Sequence, residues 1–383
     1  APKVIASYTA SVLEGCDPFT SNFFNLTPSP SYNYSWTVNG IENATTPDYS
    51  QVFTNTSNPP VINKYKVLLK STYKNNATCF DTVSRVVTVN PRVYPNFSFT
   101  NAAACHPLTT NINNSTLSYN NSATYSWNLG NGTFSTLANL TNQLYKNSSA
   151  TKDTTYSIKL TATSVHGCTH DTTKSITVHP RPIASYIMNN ESLSCSPFDI
   201  EIHNHSTGQE PLGYSFNLDD GPIINTADKS QVITHTYHNL TNAVRPYIIT
   251  LTTTTPNGCS NSTSQTVYAY PEVTAKFSMS PSNAACSPFL VGFNNTTTNG
   301  YFYQWSFDDG SNSNLMSPNH RFVNITENYQ IFNVRLKSIS AYDCDDDTII
   351  PVTVYATPVA NFSVNPPLKV FPDATFNFHN QSN

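Results

Sequence analysis

One eight-residue phrase, Tyr303-Gln304-Trp305-Ser306-Phe307-Asp308-Asp309-Gly310, returns in altered form as Tyr34-Ser35-Trp36-Thr37-Val38-Asn39-Gly40, as Tyr125-Ser126-Trp127-Asn128-Leu129-Gly130-Asn131-Gly132 and as Tyr214-Ser215-Phe216-Asn217-Leu218-Asp219-Asp220-Gly221. A chain that repeats a strand-and-turn phrase must fold as a series of small units, whatever its length alone would suggest. Alternate side chains of a strand point to opposite faces, so the Tyr, the Trp or Phe, and the Val, Leu or Phe of each copy share one face. That pattern predicts Trp36, Trp127, Phe216 and Trp305 at the centres of four cores. The Asn, Asp and Gly residues that follow supply the left-handed backbone of a tight turn.

Proline marks the boundaries. Pro2, Pro91, Pro180, Pro271 and Pro358 stand 89, 89, 91 and 87 residues apart, each of the last four closing a Val- or Tyr-rich run. The expected units are residues 1–91, 92–180, 181–271 and 272–357, with 358–383 opening a fifth. A strand ending at proline makes a short, stiff connection, which predicts a semi-rigid string. Inside each unit come a first strand, a Cys-x-Pro-(Phe/Leu) signature opening a second, the Tyr/Trp strand, an alternating strand (Tyr65, Val67, Leu69 in the first unit) and a last strand running to the proline. About seven short strands separated by turn residues predict an all-β immunoglobulin-like sandwich with no helix of consequence. Each sandwich is expected to add roughly 30–40 Å along a rod. The fifth unit has Val370-Phe371-Pro372-Asp373 where a cysteine is expected, and half a sandwich leaves its edges open, so more chain is expected after Asn383.

Eight cysteines follow the same rhythm. Cys16, Cys105, Cys195 and Cys286 stand early in their units and Cys79, Cys168, Cys259 and Cys344 late, at separations of 63, 63, 64 and 58. Because each early and late pair recurs with its unit, and no CxxC or Cys/His spacing marks zinc, the expectation is one disulfide per unit: Cys16–Cys79, Cys105–Cys168, Cys195–Cys259 and Cys286–Cys344. Closing such a loop stabilises a small domain by roughly 4 kcal/mol in the chain-entropy picture. Persistent disulfides place the chain outside the cytoplasm. Charged residues are 11% of the chain, with a formal net charge of -4 and no Lys/Arg cluster. Nucleic acid and direct membrane insertion are therefore excluded as partners, since no apolar run approaches the roughly 20 residues a spanning helix needs.

The Tyr-x-Trp-x-Phe-Asp-Asp-Gly phrase, an Ala-x-Phe-like first strand and a period near 90 together resemble the PKD domain, the polycystic kidney disease repeat. Asp220-Gly221 and Asp309-Gly310 match that family's Asp-Gly turn, and His235-Thr236-Tyr237 its His-x-Tyr, with His320-Arg321-Phe322 a looser counterpart and Asn39-Gly40 the departure in the first unit. The Cys-x-Pro-Phe and Gly-Cys pairs resemble PKD arrays of secreted Bacteroidota adhesins. The resemblance implies spacers, adhesion modules or accessory domains of secreted hydrolases, and the fold itself chooses none of them.

Candidate chemistry is sparse. Asp219-Asp220, Asp308-Asp309 and Asp345-Asp346-Asp347 offer oxygen ligands of the kind Ca²⁺ takes, without the twelve-residue loop that would accompany them, and turn chemistry accounts for the first two; no cofactor is expected. His203 and His205, His166 and His170, and His235 and His238 come in close pairs, but no third ligand recurs in register. No nucleophile elbow or paired-carboxylate domain exists, and near-equivalent copies are a poor way to build one active site, so no enzyme is expected. The 22 Tyr and 21 Phe exceed core needs, which leaves open a sugar-stacking surface or simple strand preference. Asn-x-Ser/Thr occurs at 21 positions against roughly 11 by chance, naming Asn25, Asn43, Asn76, Asn139, Asn204, Asn239, Asn295 and Asn324 as candidate glycosylation sites, while polar solubilising turns explain the same composition. Asp81-Thr82-Val83, Asp153-Thr154-Thr155, Asp171-Thr172-Thr173 and Asp347-Thr348-Ile349 resemble bacterial O-glycosylation sites. The reading is a non-enzymatic extracellular structural or adhesive protein that self-associates into a cell-surface filament. The alternative is a carbohydrate-binding or spacer region of a secreted hydrolase.

Overall fold

The alternation in the Tyr/Trp phrase becomes burial at every second residue: Tyr34 and Trp36, Trp127 and Leu129, Tyr214, Phe216 and Leu218, and Trp305 and Phe307 are all buried. The computed structural model describes residues 3–189, 193–365, 367, 372 and 375–382; Pro2 and three of the four residues at the fifth unit's expected cysteine position, Val370, Phe371 and Asp373, lie outside these.

Strands fall into four sets of eight. The first is β1 (Tyr8–Ala10), β2 (Glu14–Cys16), β3 (Phe19–Asn25), β4 (Tyr32–Val38), β5 (Ile41–Ala44), β6 (Tyr49–Phe53), β7 (Asn63–Tyr73) and β8 (Phe80–Asn90). The second is β9 (Phe97–Phe99), β10 (Ala103–Cys105), β11 (Leu108–Asn114), β12 (Ala123–Asn128), β13 (Phe134–Ser135), β14 (Leu140–Tyr145), β15 (Thr154–Ser164) and β16 (Thr169–His179). The third is β17 (Tyr186–Met188), β18 (Leu193–Cys195), β19 (Phe198–Asn204), β20 (Gly213–Asn217), β21 (Ile224–Thr226), β22 (Ile233–Tyr237), β23 (Arg245–Thr254) and β24 (Ser260–Tyr270). The fourth is β25 (Phe277–Ser280), β26 (Ala284–Cys286), β27 (Phe289–Asn295), β28 (Phe302–Ser306), β29 (Asn312–Ser313), β30 (Asn319–Phe322), β31 (Gln330–Ile339) and β32 (Asp345–Tyr355). An exposed hairpin, β33 (Phe362–Asn365) and β34 (Asn377–Asn380), follows. One 3₁₀ turn at Tyr119–Asn121 is the helical element among the described residues.

Each set makes a three-stranded sheet (β1-β3-β6 in the first) facing a five-stranded one (β2-β8-β7-β4-β5). The eighth strand, which the sequence pattern does not signal, is the three-residue strand bearing the early cysteine. It runs parallel to the last strand of its set and places Cys16, Cys105, Cys195 and Cys286 opposite Asn90, His179, Tyr270 and Tyr355. Each sandwich closes over its own core. Buried Trp36, Trp127 and Trp305 each donate Nε1–H to a backbone carbonyl, of Thr46, Leu137 and Leu315, at 3.0, 2.8 and 2.9 Å, so none leaves a buried donor unpaired. The turn after the phrase is left-handed as expected: Asn39, Gly130, Asp219 and Asp308 have φ of 49°, 75°, 74° and 63°. The Asn39, Asp219 and Asp308 side chains each accept a backbone N–H from the neighbouring strand, and at Gly130 a Cβ would lie 2.5 Å from the Ser157 carbonyl oxygen.

The chain divides into two compact units. One comprises Ala1–Pro182 with Thr207–Pro211 and Thr254–Ser260; the other comprises Ile183–Ser206, Leu212–Thr253 and Asn261–Asn383.

Candidate functional site

Disulfides form between consecutive repeats rather than within each. Cys16 bonds Cys168, Cys105 bonds Cys259 and Cys195 bonds Cys344, with Cα atoms 5.5 Å apart in every case. Cys79 and Cys286 are free thiols. The expected pairs Cys16–Cys79, Cys105–Cys168, Cys195–Cys259 and Cys286–Cys344 are corrected, and strand length gives the reason. Cys79 immediately precedes the 11-residue β8, whereas Cys16 lies opposite its last residue, Asn90. Eleven steps at about 3.3 Å separate the two by roughly 36 Å, and a disulfide tolerates no more than about 7 Å between Cα atoms. The early cysteine therefore meets the late cysteine of the next repeat. All three bridges fall inside one or other compact unit, Cys105–Cys259 included, because Thr254–Ser260 belongs to the first.

The late cysteine sits in a tight hairpin turn. Ser164, Thr255 and Ser340 donate their backbone N–H to the carbonyls of Cys168, Cys259 and Cys344, while Gly167, Gly258 and Asp343 take φ of 78°, 77° and 63° just before the sulfur. Those three cysteines are buried. Polar and aromatic contacts surround each bridge. Arg92 Nε lies 2.5 Å from Asp17 Oδ2; Arg181 Nε donates to the Ser260 carbonyl at 3.1 Å and Asn257 Nδ2 lies 3.1 Å from His179 Nδ1; Tyr270 stacks on Tyr342 with ring centroids 4.5 Å apart.

Beside each early cysteine lies a buried asparagine that the sequence does not single out as structural. Asn55, Asn147, Asn239 and Asn324 occupy one position in the four repeats, and each side-chain amide donates to two carbonyls, one of them on the last strand: Val89, Val178, Ala269 and Val354, at 2.8 Å. Their own backbone N–H groups go to the residue after the early cysteine, Asp17, His106, Ser196 or Ser287. The variable residue of Cys-x-Pro thus caps this corner. In eleven of the 21 Asn-x-Ser/Thr triplets, these four included, the asparagine Oδ1 accepts the backbone N–H of the third residue. Side-chain turns of this kind favour Asn followed two residues later by Ser or Thr. The surplus of triplets thereby has a conformational cause. Of the candidate glycosylation sites, Asn25, Asn204, Asn239, Asn295 and Asn324 are buried, whereas Asn43, Asn76 and Asn139 are exposed.

The acidic candidates are already engaged. Asp220 and Asp309 pair with His235 and His320 at 2.6 and 2.7 Å. Asp345 and Asp347 pair with Lys337 and Arg335, each at 2.8 Å, and Asp346 accepts the Ala275 N–H. Asp81 accepts the Ala6 N–H, and Asp153 and Asp171 pair with His179 and Lys159. His203 and His205 lie on and just after β19, His166 packs on Tyr119, and His238 approaches Glu272 at 3.3 Å. Among the described residues no cluster of three His, Cys, Asp or Glu side chains is placed to hold a metal. Exposed aromatics are scattered, with Phe24 and Phe80 in the first repeat, Phe134 in the second, and Tyr301, Phe302 and Tyr329 in the fourth.

These features define an all-β chain of tandem immunoglobulin-like β-sandwiches, joined in sequence by disulfide staples. Among solved structures it is similar to an ectodomain fragment of ICAM-5, with 9% identity over 91% of this chain and 100% of that one at a TM-score of 0.40. It is also similar to the eight N-terminal immunoglobulin domains of Down Syndrome Cell Adhesion Molecule (12% identity, 92% of this chain, 49% of that one, TM-score 0.40) and to the insect immune protein hemolin (11%, 92%, 100%, 0.28). No protein-family model matches the chain, and no curated protein does.

Proposed function

We propose that this chain is a non-enzymatic extracellular structural or adhesive array of PKD-type repeats, bounded at residues 91, 180, 271 and 357, that builds or projects a semi-rigid cell-surface filament in the manner of the Bacteroidota adhesins it resembles. The observation that carries the reading is the set of three disulfides, each joining one repeat to the next. Such bonds persist outside the cytoplasm, and they reinforce the joints between domains, where otherwise small polar contacts leave neighbouring domains free to swing. The acidic turns, with His179, His235 and His320, are spent on holding turns and strands, which suits a mechanical part. Asn43, Asn76 and Asn139 are the exposed asparagines on which a glycan coat would be carried. Electron microscopy of the native material tests the reading: filaments or projecting threads that label with an antibody to this chain support it. A compact soluble particle with hydrolase activity in the same polypeptide overturns it in favour of an accessory region.

A further inference from the structure

The inward residues of the fourth repeat follow the pattern of the other three, and its outward residues do not. On the outer face of the five-stranded sheet, β28 presents exposed Phe302, Gln304 and Ser306, alternating with half-buried Tyr303 and buried Trp305. Register sets Gln304 opposite Lys337, and Ser306 between Arg335 on one side and Asn312 on the other. The corresponding places hold Asn33, Ser35 and Thr37 on β4, Thr124, Ser126 and Asn128 on β12, and Gly213, Ser215 and Asn217 on β20. Across from them, Arg335 and Lys337 stand where the other repeats have Leu68 and Lys70, Lys159 and Thr161, or Thr250 and Thr252. The fourth repeat alone brings an aromatic ring, a long amide and two cations together on this face.

These side chains enclose a shallow pocket. Gln304, Ser306, Asn312, Asn314, Arg335 and Lys337 line a space of about 280 Å³, near the lower end of the range for small-molecule sites. Among the described residues the side chains of Gln304, Ser306, Asn312 and Asn314 are spent on no hydrogen bond, unlike the turn-forming asparagines described above. Asp347 takes only the Nε–H of Arg335, which leaves the terminal donors of the guanidinium uncommitted. Phe302 continues the row beyond Gln304. Its side chain is 59% exposed, and Tyr301 packs at right angles to it with ring centroids 4.7 Å apart.

Amides, a hydroxyl and cationic donors around a hollow, with an open aromatic ring beside them, match the two faces of a pyranose: hydroxyls that donate and accept, and an apolar C–H face that stacks on a ring. Charge narrows the class. Arg335 and Lys337 are balanced by Asp347 and Asp345 at 2.8 Å, and residues 272–357 hold eight Asp and Glu against four Lys and Arg, so an acidic glycan is repelled. We propose that this face of the fourth repeat binds an uncharged pyranose oligosaccharide, one ring stacked on Phe302 and the hydroxyls of the next held by Gln304, Asn312 and Arg335. As the target of an adhesive array the glycan rests on the reading above, in which many copies along a filament turn one weak contact into avidity.

Calorimetric titration of the oxidised chain with cellohexaose, mannohexaose and the N-acetylglucosamine hexamer, each separately, tests the site. Saturable binding of at least one is expected, weakened about tenfold by Phe302→Ala and about fivefold by Gln304→Ala. Phe134→Ala, which removes an exposed ring from the same face of the second repeat, leaves it unchanged. All three substituted side chains are exposed, so thermal melts should coincide with that of the unaltered chain; if Phe302→Ala melts early, Gln304→Ala decides. Binding of none of the three sugars overturns the proposal, as does tighter binding of an oligogalacturonate of equal length, or an effect of Phe134→Ala as large as that of Phe302→Ala. Absence of binding beside filaments seen on cells removes the glycan site and leaves the filament reading intact, whereas binding without filaments supports the site and removes that reading.

Discussion

Stretching a single oxidised molecule by its ends reads out the cysteine pairing directly. With all three staples intact, tension follows the shortest covalent route: backbone to Cys16, across to Cys168, on to Cys195, across to Cys344 and out to Asn383. The backbone on that route amounts to 15, 27 and 39 residue steps, 81 in all. At about 3.5 Å per extended residue, with 5.5 Å across each bridge, the fully unfolded molecule reaches about 290 Å. Bridges inside each repeat would instead release 134 steps, about 490 Å, and the reduced chain releases 382 steps, about 1,340 Å. Two variants sharpen the comparison. Cys105–Cys259 lies off the shortest route, so replacing both its cysteines by serine leaves the limit at about 290 Å. Replacing Cys16 and Cys168 reroutes tension through 207 steps and raises it to about 735 Å. Optical tweezers with handles at the two termini, before and after a phosphine reductant, measure these lengths. An oxidised limit near 490 Å, or no change on losing Cys16 and Cys168, refutes the staple assignment.

Other outcomes follow from the buried groups. Asn239→Ala removes two donated and two accepted hydrogen bonds at a fully buried site and is expected to cost about 3 kcal/mol, read as lost amide-exchange protection in β23 and β24, whereas exposed Asn43→Ala changes β7 and β8 by less than about 0.5 kcal/mol. Burial raises the Asp309 carboxyl, but hydrogen bonds from Ser311 and His320 outweigh it and hold the group below its ordinary value. The stability it contributes is present above the unfolded value near 3.9 and lost as pH falls through the lower folded one, so Asp309→Asn destabilises the fourth repeat near pH 7 by about 1–2 kcal/mol and the difference disappears in strong acid, as pH-dependent denaturation measures. Burial pushes the phenols of Tyr8, Tyr145 and Tyr186 up to about 12. Their contribution is complete below the unfolded value near 10 and lost as pH rises towards 12, so absorbance at about 295 nm should show a late ionising class that moves to about 10 once the chain is unfolded.

Much of the fold was legible because it rests on local rules. Period-two burial put Trp36, Trp127, Phe216 and Trp305 at the core centres, and the need for φ > 0 put Asn39, Gly130, Asp219 and Asp308 in the turns. The pairing of cysteines was not legible from spacing, because a regular array repeats Cys16-to-Cys168 as faithfully as Cys16-to-Cys79. What separates them is direction. An 11-residue strand between the late cysteine and the linker carries the chain the whole length of the sandwich, and counting that strand would have put Cys79 and Cys16 at opposite ends. The early-cysteine strands, three residues each, are too short to register as a pattern. Asn-x-Ser/Thr carries two readings for a related reason: the local turn that selects the triplet says nothing about the last-strand carbonyls that bury Asn239 and Asn324 among the named candidates, and Asn55 and Asn147 beside them.

The overlap of the three bridges also determines what a protease can achieve. Cys16–Cys168, Cys105–Cys259 and Cys195–Cys344 are laid like courses of brick, each starting before the previous one ends. A single cut anywhere between Cys16 and Cys344, at Pro91, Pro180 or Pro271 included, is spanned by at least one of them. For a cut at Pro180 that one is Cys105–Cys259, idle under tension but indispensable here. A nicked molecule therefore keeps its two halves tethered, and severing it takes a second cut or a reductant.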